Sequence, residues 1–139
     1  MFTNLFSRKS SAETEEITAP LALAALMVRI AKSDDDYATA ECERIDAVLS
    51  VLYSLSTAQA SALRLRAEAL EADAPDTVRF TRAIKEEVPY EERFDVVRAL
   101  WQVVLADGAR DDEEDALMRL LASLLGVSDR DSAIARQQA

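Results

Sequence analysis

The sequence predicts an all-α protein, and three observations lead to that fold class. Half of the 139 residues are hydrophobic, and only two Gly and three Pro interrupt stretches rich in Ala, Leu, Glu and Arg, a composition that favours helices. Apolar residues recur at helical spacing along the chain. A helix–acidic loop–helix pattern occurs twice. We therefore expect a compact single-domain bundle of about seven helices with an internal duplication.

The duplication is visible at an offset of 73 residues. This shift places Asp34 on Asp107 and Glu41 on Glu114. It also keeps apolar residues on apolar residues in the flanking helices: Val28 on Trp101, Ile45 on Met118, Leu49 on Ala122 and Leu52 on Leu125. A repeated unit with repeated acids predicts that any function lies at the two loops.

The first helices follow a polar segment, residues 1–16, that we expect to be flexible; the domain itself is expected over residues 17–139. Thr18 caps the first helix and Pro20 lies in its first turn. The apolar face of this helix is formed by Leu23, Leu26, Met27 and Ile30. The second helix begins near residue 38 or 39 and carries Cys42, which we interpret as a core residue.

The remaining helices are predicted from their caps. Ser56 with Gln59 forms a capping box for the third helix, and Asp76 caps the fourth. The fifth helix has Pro89 in its first turn and is the most apolar, so we expect it at the centre of the core, with Trp101 packed inside. The sixth follows the second acidic loop and ends near residue 126, and a short seventh helix starts near residue 128.

Composition excludes several classes of function. The net charge of −10, from 26 acids and 16 bases, disfavours nucleic acid and anionic membranes and suits cations or a protein partner with a basic surface. One Cys and no His exclude an intrachain disulfide, His zinc sites and His catalysis. No apolar run is long enough to span a membrane, and the N-terminus does not resemble a secretory signal, so we expect a cytoplasmic protein.

Three interpretations of the acidic loops remain open. In the structural one, Asp111 with Glu114 forms a capping box and the carboxylates stabilise helix N-termini. In the second, the loops bind Ca²⁺, Mg²⁺ or Mn²⁺, since adjacent carboxylates repel unless neutralised. This is not an EF-hand, because its twelfth position would be Ile45 or Met118 instead of Glu. A carboxylate-based enzyme is the third and least favoured, since no cleft or partner groups are evident.

The order of these motifs resembles the TerB-like domain of tellurite resistance. That family shows Ala-Asp-Gly followed by Glu at the start of the next helix, twice in an all-helical fold. Residues 106–108 with Glu114 match the second copy in full. Asp34 with Glu41 matches the first copy, although Asp35 replaces the usual Gly. The resemblance covers roughly residues 17–136 and extends to the N-terminal region of a membrane-anchored DnaJ-type co-chaperone.

The resemblance implies a seven-helix, non-enzymatic, bacterial cytoplasmic protein in a tellurite, metal or envelope stress response. It also implies a metal-binding acidic surface at Asp34, Glu41, Asp107 and Glu114. Together with the loop carboxylates, the predicted metal ligands are Asp34, Asp36, Glu41, Asp107, Asp111 and Glu114. No organic cofactor is expected. The alternative is a ligand-free, co-chaperone-like adaptor that docks a basic partner.

Overall fold

The computed structural model describes residues 17–33, 37–73, 76–107 and 112–139, with the side chains of residues 107 and 112–114 excepted. This part of the chain contains seven α-helices and one short 3₁₀-helix. The helices are α1 (Ala19–Lys32), α2 (Thr39–Tyr53), α3 (Thr57–Asp73), α4 (Thr77–Glu87), α5 (Tyr90–Val104), α6 (Asp112–Leu124) and α7 (Asp129–Gln138). The 3₁₀-helix, Leu105–Asp107, directly follows α5. The all-α prediction and the number of helices are confirmed.

Local caps begin these helices, largely as predicted. Thr18 Oγ1 accepts the Leu21 N–H at 3.3 Å. Ser56 and Gln59 form the reciprocal capping box, with Ser56 Oγ accepting at 3.1 Å and Gln59 Oε1 at 2.9 Å. Each cap satisfies backbone donors that a helix N-terminus leaves without intrahelical partners. The helix starts are therefore encoded within a few residues of sequence.

The end of α6 is another locally encoded feature. Gly126 has φ of +77°, a left-handed conformation that costs glycine little. Its N–H donates to the Ser123 carbonyl, and the Val127 N–H donates to the Ala122 carbonyl at 2.8 Å. These two bonds form a Schellman motif, which ends α6 as predicted.

Helix α1 is the centre of the core, so the prediction that α5 holds this place is wrong. All seven residues from Ala22 to Val28 are fully buried, and α1 packs against α2, α3, α4 and α5. A helix that is apolar on every side is surrounded by others, and the small Ala side chains of α1 leave room for close neighbours. The prediction of α5 as the centre rested on its large apolar residues, but one face of α5 is exposed.

Two further sequence expectations need adjustment. Cys42 is half-buried and lies at the edge of the core, not within it. Pro89 is the N-cap residue of α5, one position before the first turn. Trp101 is buried, as predicted, with 7% of its surface exposed. Among the residues described, no helix combines the length and apolar character needed to cross a membrane.

Candidate functional site

Of the six predicted metal ligands, the structure describes the side chain of Glu41 and the backbone of Asp107 and Glu114. Asp34, Asp36 and Asp111 lie outside the described residues. Asp107 ends the 3₁₀-helix and Glu114 lies in the first turn of α6, both with side chains outside the description. Glu41 in the first turn of α2 is described in full. The metal site therefore stays a prediction, and its surroundings are what the structure adds.

Helix α1, which precedes the first loop, is joined to α3 by a cluster of ion pairs. Glu71 of α3 accepts Lys32 Nζ at 2.8 Å and Arg29 Nε at 3.2 Å. Arg29 also donates to Thr77 Oγ1 at 2.6 Å and lies 5.4 Å from the centre of the Phe80 ring. Burial alone raises the pKa of Glu71, but the hydrogen bonds from Lys32 and Arg29 outweigh it and hold that pKa below its ordinary value.

Tyr37, which follows the first loop, also forms a hydrogen bond with α3. The Tyr37 hydroxyl donates to Glu68 Oε2 at 2.6 Å, and Arg64 donates to the same oxygen at 2.7 Å. Burial, followed by the hydrogen bond to Glu68, raises the pKa of Tyr37 well above its ordinary value. Arg64 also donates to Asp46 of α2 at 2.7 Å, and this bond is the main cause of the raised pKa of the Arg64 guanidinium.

Two acids on α3 thus hold both flanks of the first acidic loop. Glu68 and Glu71 are three residues apart, so they lie on one face of the helix. Their partners, Tyr37 and Lys32, bracket Asp34–Asp36 in the sequence. Sequence reasoning missed this arrangement because Tyr37 is 31 residues from Glu68 and Lys32 is 39 residues from Glu71. The pair of acids on α3 is the only local signal, and it is indistinguishable in sequence from a solvated face.

Glu41 has a structural role that its position in the repeat predicts. Ala38 is the N-cap residue of α2, and its methyl side chain offers no acceptor. Glu41 Oε2 accepts the Ala38 N–H at 2.7 Å, which is one half of a capping box. This bond uses one carboxylate oxygen, so the capping interpretation accounts for part of the chemistry of Glu41.

A cavity of about 410 Å³ lies between α2, which follows the first loop, and the 3₁₀-helix that precedes the second. It is lined by Ala40, Glu41, Glu43, Arg44, Ala47, Leu105 and Ala106. The first five of these residues belong to α2, and Leu105 and Ala106 begin the 3₁₀-helix. The Arg44 Nε atom donates to the carbonyl of Gln102 in α5 at 3.2 Å and joins the two sides. The helix that follows the first loop therefore lies against the turn that leads into the second.

The duplication is also visible in the register of the elements. The helices after the two loops begin at Thr39 and Asp112, which are 73 residues apart, the offset found in the sequence. The apolar pairs Val28 with Trp101, Ile45 with Met118 and Leu49 with Ala122 are all buried, while Leu125 is buried and Leu52 partly so. The repeated unit is a structural unit.

No group of three or more Cys, Asp or Glu residues is arranged to hold a metal ion within the described ranges. Those ranges include the side chains of Glu41 and Glu43 but not the carboxylates at residues 34–36, 107 and 111–114. Two acids of α3, Glu68 and Glu71, are instead paired with Lys, Arg and Tyr side chains.

Comparison with known proteins identifies the family. The family model described as "Tellurite resistance protein TerB" matches residues 20–137. No curated protein and no solved structure matches the chain. The matched region includes all seven helices apart from the outermost residues of α1 and α7, and it includes both acidic loops. The chain belongs to the TerB family of tellurite resistance proteins.

Proposed function

We propose that this protein is a non-enzymatic TerB-family domain that binds a divalent cation at its paired acidic loops. The cation is Ca²⁺, Mg²⁺ or Mn²⁺, and no organic cofactor takes part. The domain acts in the cytoplasm within a response to tellurite, metal or envelope stress. The observation that carries the proposal is the cavity in which Glu41 lies beside Leu105 and Ala106, because it brings the flanks of the two loops together.

The chemistry of the donors supports a hard cation. The proposed ligands are all carboxylates, and Ca²⁺ takes about 6–8 oxygen ligands, whereas Mg²⁺ prefers six. Each loop contributes three of these carboxylates and hence six oxygens, so the two loops together offer twelve, more than either shell requires. Glu41 keeps one carboxylate oxygen for a metal while the other accepts the Ala38 N–H. That hydrogen bond orients the ligand in advance.

Electrostatics support the same conclusion. Carboxylates close together repel one another and destabilise the fold unless a positive charge lies among them. Arg44 is the cation that lines the cavity between the loops, and one guanidinium does not balance six carboxylates. A divalent ion supplies the missing charge in a protein whose net charge is −10.

A second candidate function is a ligand-free adaptor whose acidic surface docks a basic protein partner. The Glu41 cap favours it, since this bond gives a loop carboxylate a role that needs no metal. This candidate predicts capture of the partner that weakens steeply as salt is added, because exposed charges are screened. Retention of no partner even at low ionic strength would contradict it.

The deciding experiment is calorimetric titration of chelator-stripped protein with Ca²⁺, Mg²⁺, Mn²⁺ and Zn²⁺, with parallel melting curves. We expect one hard cation to bind and raise the melting temperature, because a ligand that binds only the native state stabilises it. Asp34→Ala and Asp107→Ala should each abolish most of the binding.

The matched control is Glu91→Ala. Glu91 is an exposed acid in the first turn of α5, about 20 Å along the helix from the second loop, so its loss removes the same charge without touching the loops. Binding that survives both loop substitutions, or that falls equally in the control, would reject the cation site and leave the adaptor.

A further inference from the structure

A second cavity lies where α5, α6 and α7 pack together, and its volume is about 360 Å³. It is lined by Trp101, Asp115, Arg119, Asp129, Ser132, Ala133 and Arg136. All three helices are in mutual contact, so the walls come from three helices that pack on one another. This volume is at the small end of the range of ligand pockets, about 300–1,000 Å³.

One wall of the cavity is a fixed aromatic ring. The indole N–H of Trp101 donates to Ser132 Oγ at 3.1 Å, and the Arg136 guanidinium lies 5.0 Å from the centre of the Trp101 ring. Both interactions hold the indole and the guanidinium in place before any ligand arrives. A guanidinium stacked through its flat face keeps its N–H donors, at the edge of the plane, for other acceptors.

The cavity presents charges of both signs. Arg119 of α6 and Arg136 of α7 supply two guanidiniums, and neither forms an ion pair with any acid among the described residues. Asp129, in the first turn of α7, lines the same space and is likewise outside the ion pairs of the described chain. Asp129 and the two guanidiniums share the cavity without an ion pair among the described residues, so a ligand that carries both charges can satisfy them.

We propose that this cavity binds a small zwitterion, a molecule that carries a carboxylate and an amino group close together. Arg119 and Arg136 receive the carboxylate, since a guanidinium matches its geometry and charge. Asp129 accepts from the ammonium group, and an apolar portion of the ligand packs on Trp101 and Ala133. Free amino acids and dipeptides both have this chemistry.

A ligand of single charge fits the cavity less well. A simple anion meets Asp129 in the wall, and like charges at short range disfavour binding. A simple cation meets two guanidiniums. Only a ligand with both charges places an opposite charge against each wall.

The test uses the fluorescence of Trp101, which is the only tryptophan in the chain and lines this cavity. The intact protein is titrated in chelator with glycine, alanine and phenylalanine, and with the dipeptide Ala-Ala to separate free amino acids from dipeptides. N-acetylglycine lacks the ammonium group and glycinamide lacks the carboxylate. Chelator keeps cations away, so the result is independent of the proposed metal site.

We expect a saturable change with at least one zwitterion and at least about tenfold weaker binding of both single-charge analogues, because each loses a charge-assisted hydrogen bond. Arg119→Gln and Asp129→Asn should weaken zwitterion binding by a similar factor. Arg130→Gln is the control, since Arg130 is an exposed neighbour of Asp129 that does not line the cavity.

Circular dichroism and melting curves verify that each variant folds. Arg136→Gln is kept as a secondary variant because it also removes the contact with Trp101. No saturable change with any zwitterion up to about 10 mM, a range that covers weak millimolar affinities, would overturn the proposal. Equal binding of N-acetylglycine and glycine, or unchanged binding in Asp129→Asn, would overturn it as well.

Discussion

The two copies of the helix–loop–helix unit differ most in how fully their first helix is enclosed. At the offset of 73, Ala22 and Ala25 of α1 correspond to Asp95 and Arg98 of α5. Both alanines are fully buried. Asp95 and Arg98 instead form an ion pair at 3.4 Å, with side chains 52% and 37% exposed. The same helical face is core in one copy and surface in the other.

This difference follows from what lies between the copies in the chain. Helices α3 and α4 join the two units, and both pack on α1. They enclose the first copy and leave an outer face on the second. The same arrangement allows Glu68 and Glu71 of α3 to bond to the residues on either side of the first loop. The unit occurs twice, and the helices between the copies make their surroundings unequal.

The largest expected effect is at the enclosed face. Ala22→Asp places an unpaired charge at a fully buried position, which costs several kcal/mol. Since small domains are stable by only about 5–15 kcal/mol, we expect a large fall in the denaturation midpoint or loss of the cooperative transition. Asp95→Ala at the equivalent position should change the unfolding free energy by less than about 0.5 kcal/mol. Chemical denaturation followed by circular dichroism measures both.

Ala69→Asp is the control for the helix propensity of Asp, because Ala69 is an exposed residue of α3. Its effect should be small. Equal destabilisation by Ala22→Asp and Ala69→Asp would show that α1 is not enclosed in solution and would remove the contrast between the copies.

An intermediate loss of stability is expected when the ion pairs between α1 and Glu71 of α3 are removed. Glu71→Gln removes the carboxylate that Arg29 and Lys32 share, and we expect a loss of about 1–3 kcal/mol, typical of partly buried hydrogen bonds to charged groups. Glu86→Gln, at an exposed acid of α4, is the control. Denaturation at pH 7 measures the difference.

The pH dependence of that difference has a defined sign. The folded-state pKa of Glu71 lies below the ordinary value of 4.5, so its contribution is fully present above the unfolded-state pKa and is lost as pH falls through the folded-state pKa. The stability gap between the native protein and Glu71→Gln should therefore be constant near neutral pH and shrink below about pH 4.5. A gap that widens on acidification would contradict the ion-pair role.

The smallest effect is expected at the cap of α2. Glu41→Gln weakens the bond to the Ala38 N–H and removes a charge near the helix N-terminus, which costs about 0.3–1 kcal/mol in metal-free protein. Glu43→Gln, two residues further along α2, should cost less because Glu43 is exposed. Comparing the two variants with and without added cation separates the roles: a capping residue gives the same loss in both conditions, and a ligand gives a larger one when cation is present.

Features encoded by neighbouring residues were predictable. Thr18, Ser56, Asp76 and Ser128 each accept a backbone N–H two or three residues ahead, so the helix starts follow from short sequence patterns. The register of the duplication was also predictable, because a shift of 73 residues preserves the apolar face on which each helix packs. For the candidate metal site, sequence predicted six carboxylates at two loops, and that ligand set stays a prediction.

Features that join distant parts of the chain were not predictable. Helix α1 is the centre of the core because four helices surround it. Its own fourteen residues do not determine how many helices pack against it. The ties from Glu68 and Glu71 join side chains more than thirty residues apart. The cavity beside Trp101 combines side chains from three helices whose spacing depends on their packing.

The sequence by itself determined the all-helical class, the helix boundaries, the repeated unit and the acidic character of its loops, because propensity, capping and apolar periodicity act over a few residues. The tertiary structure alone decided which copy is enclosed, which acids of α3 hold the first loop, and where charged groups share a cavity. Those outcomes depend on long-range packing, in which burial and the pairing of charges are properties of the whole assembly of helices and not of any single segment.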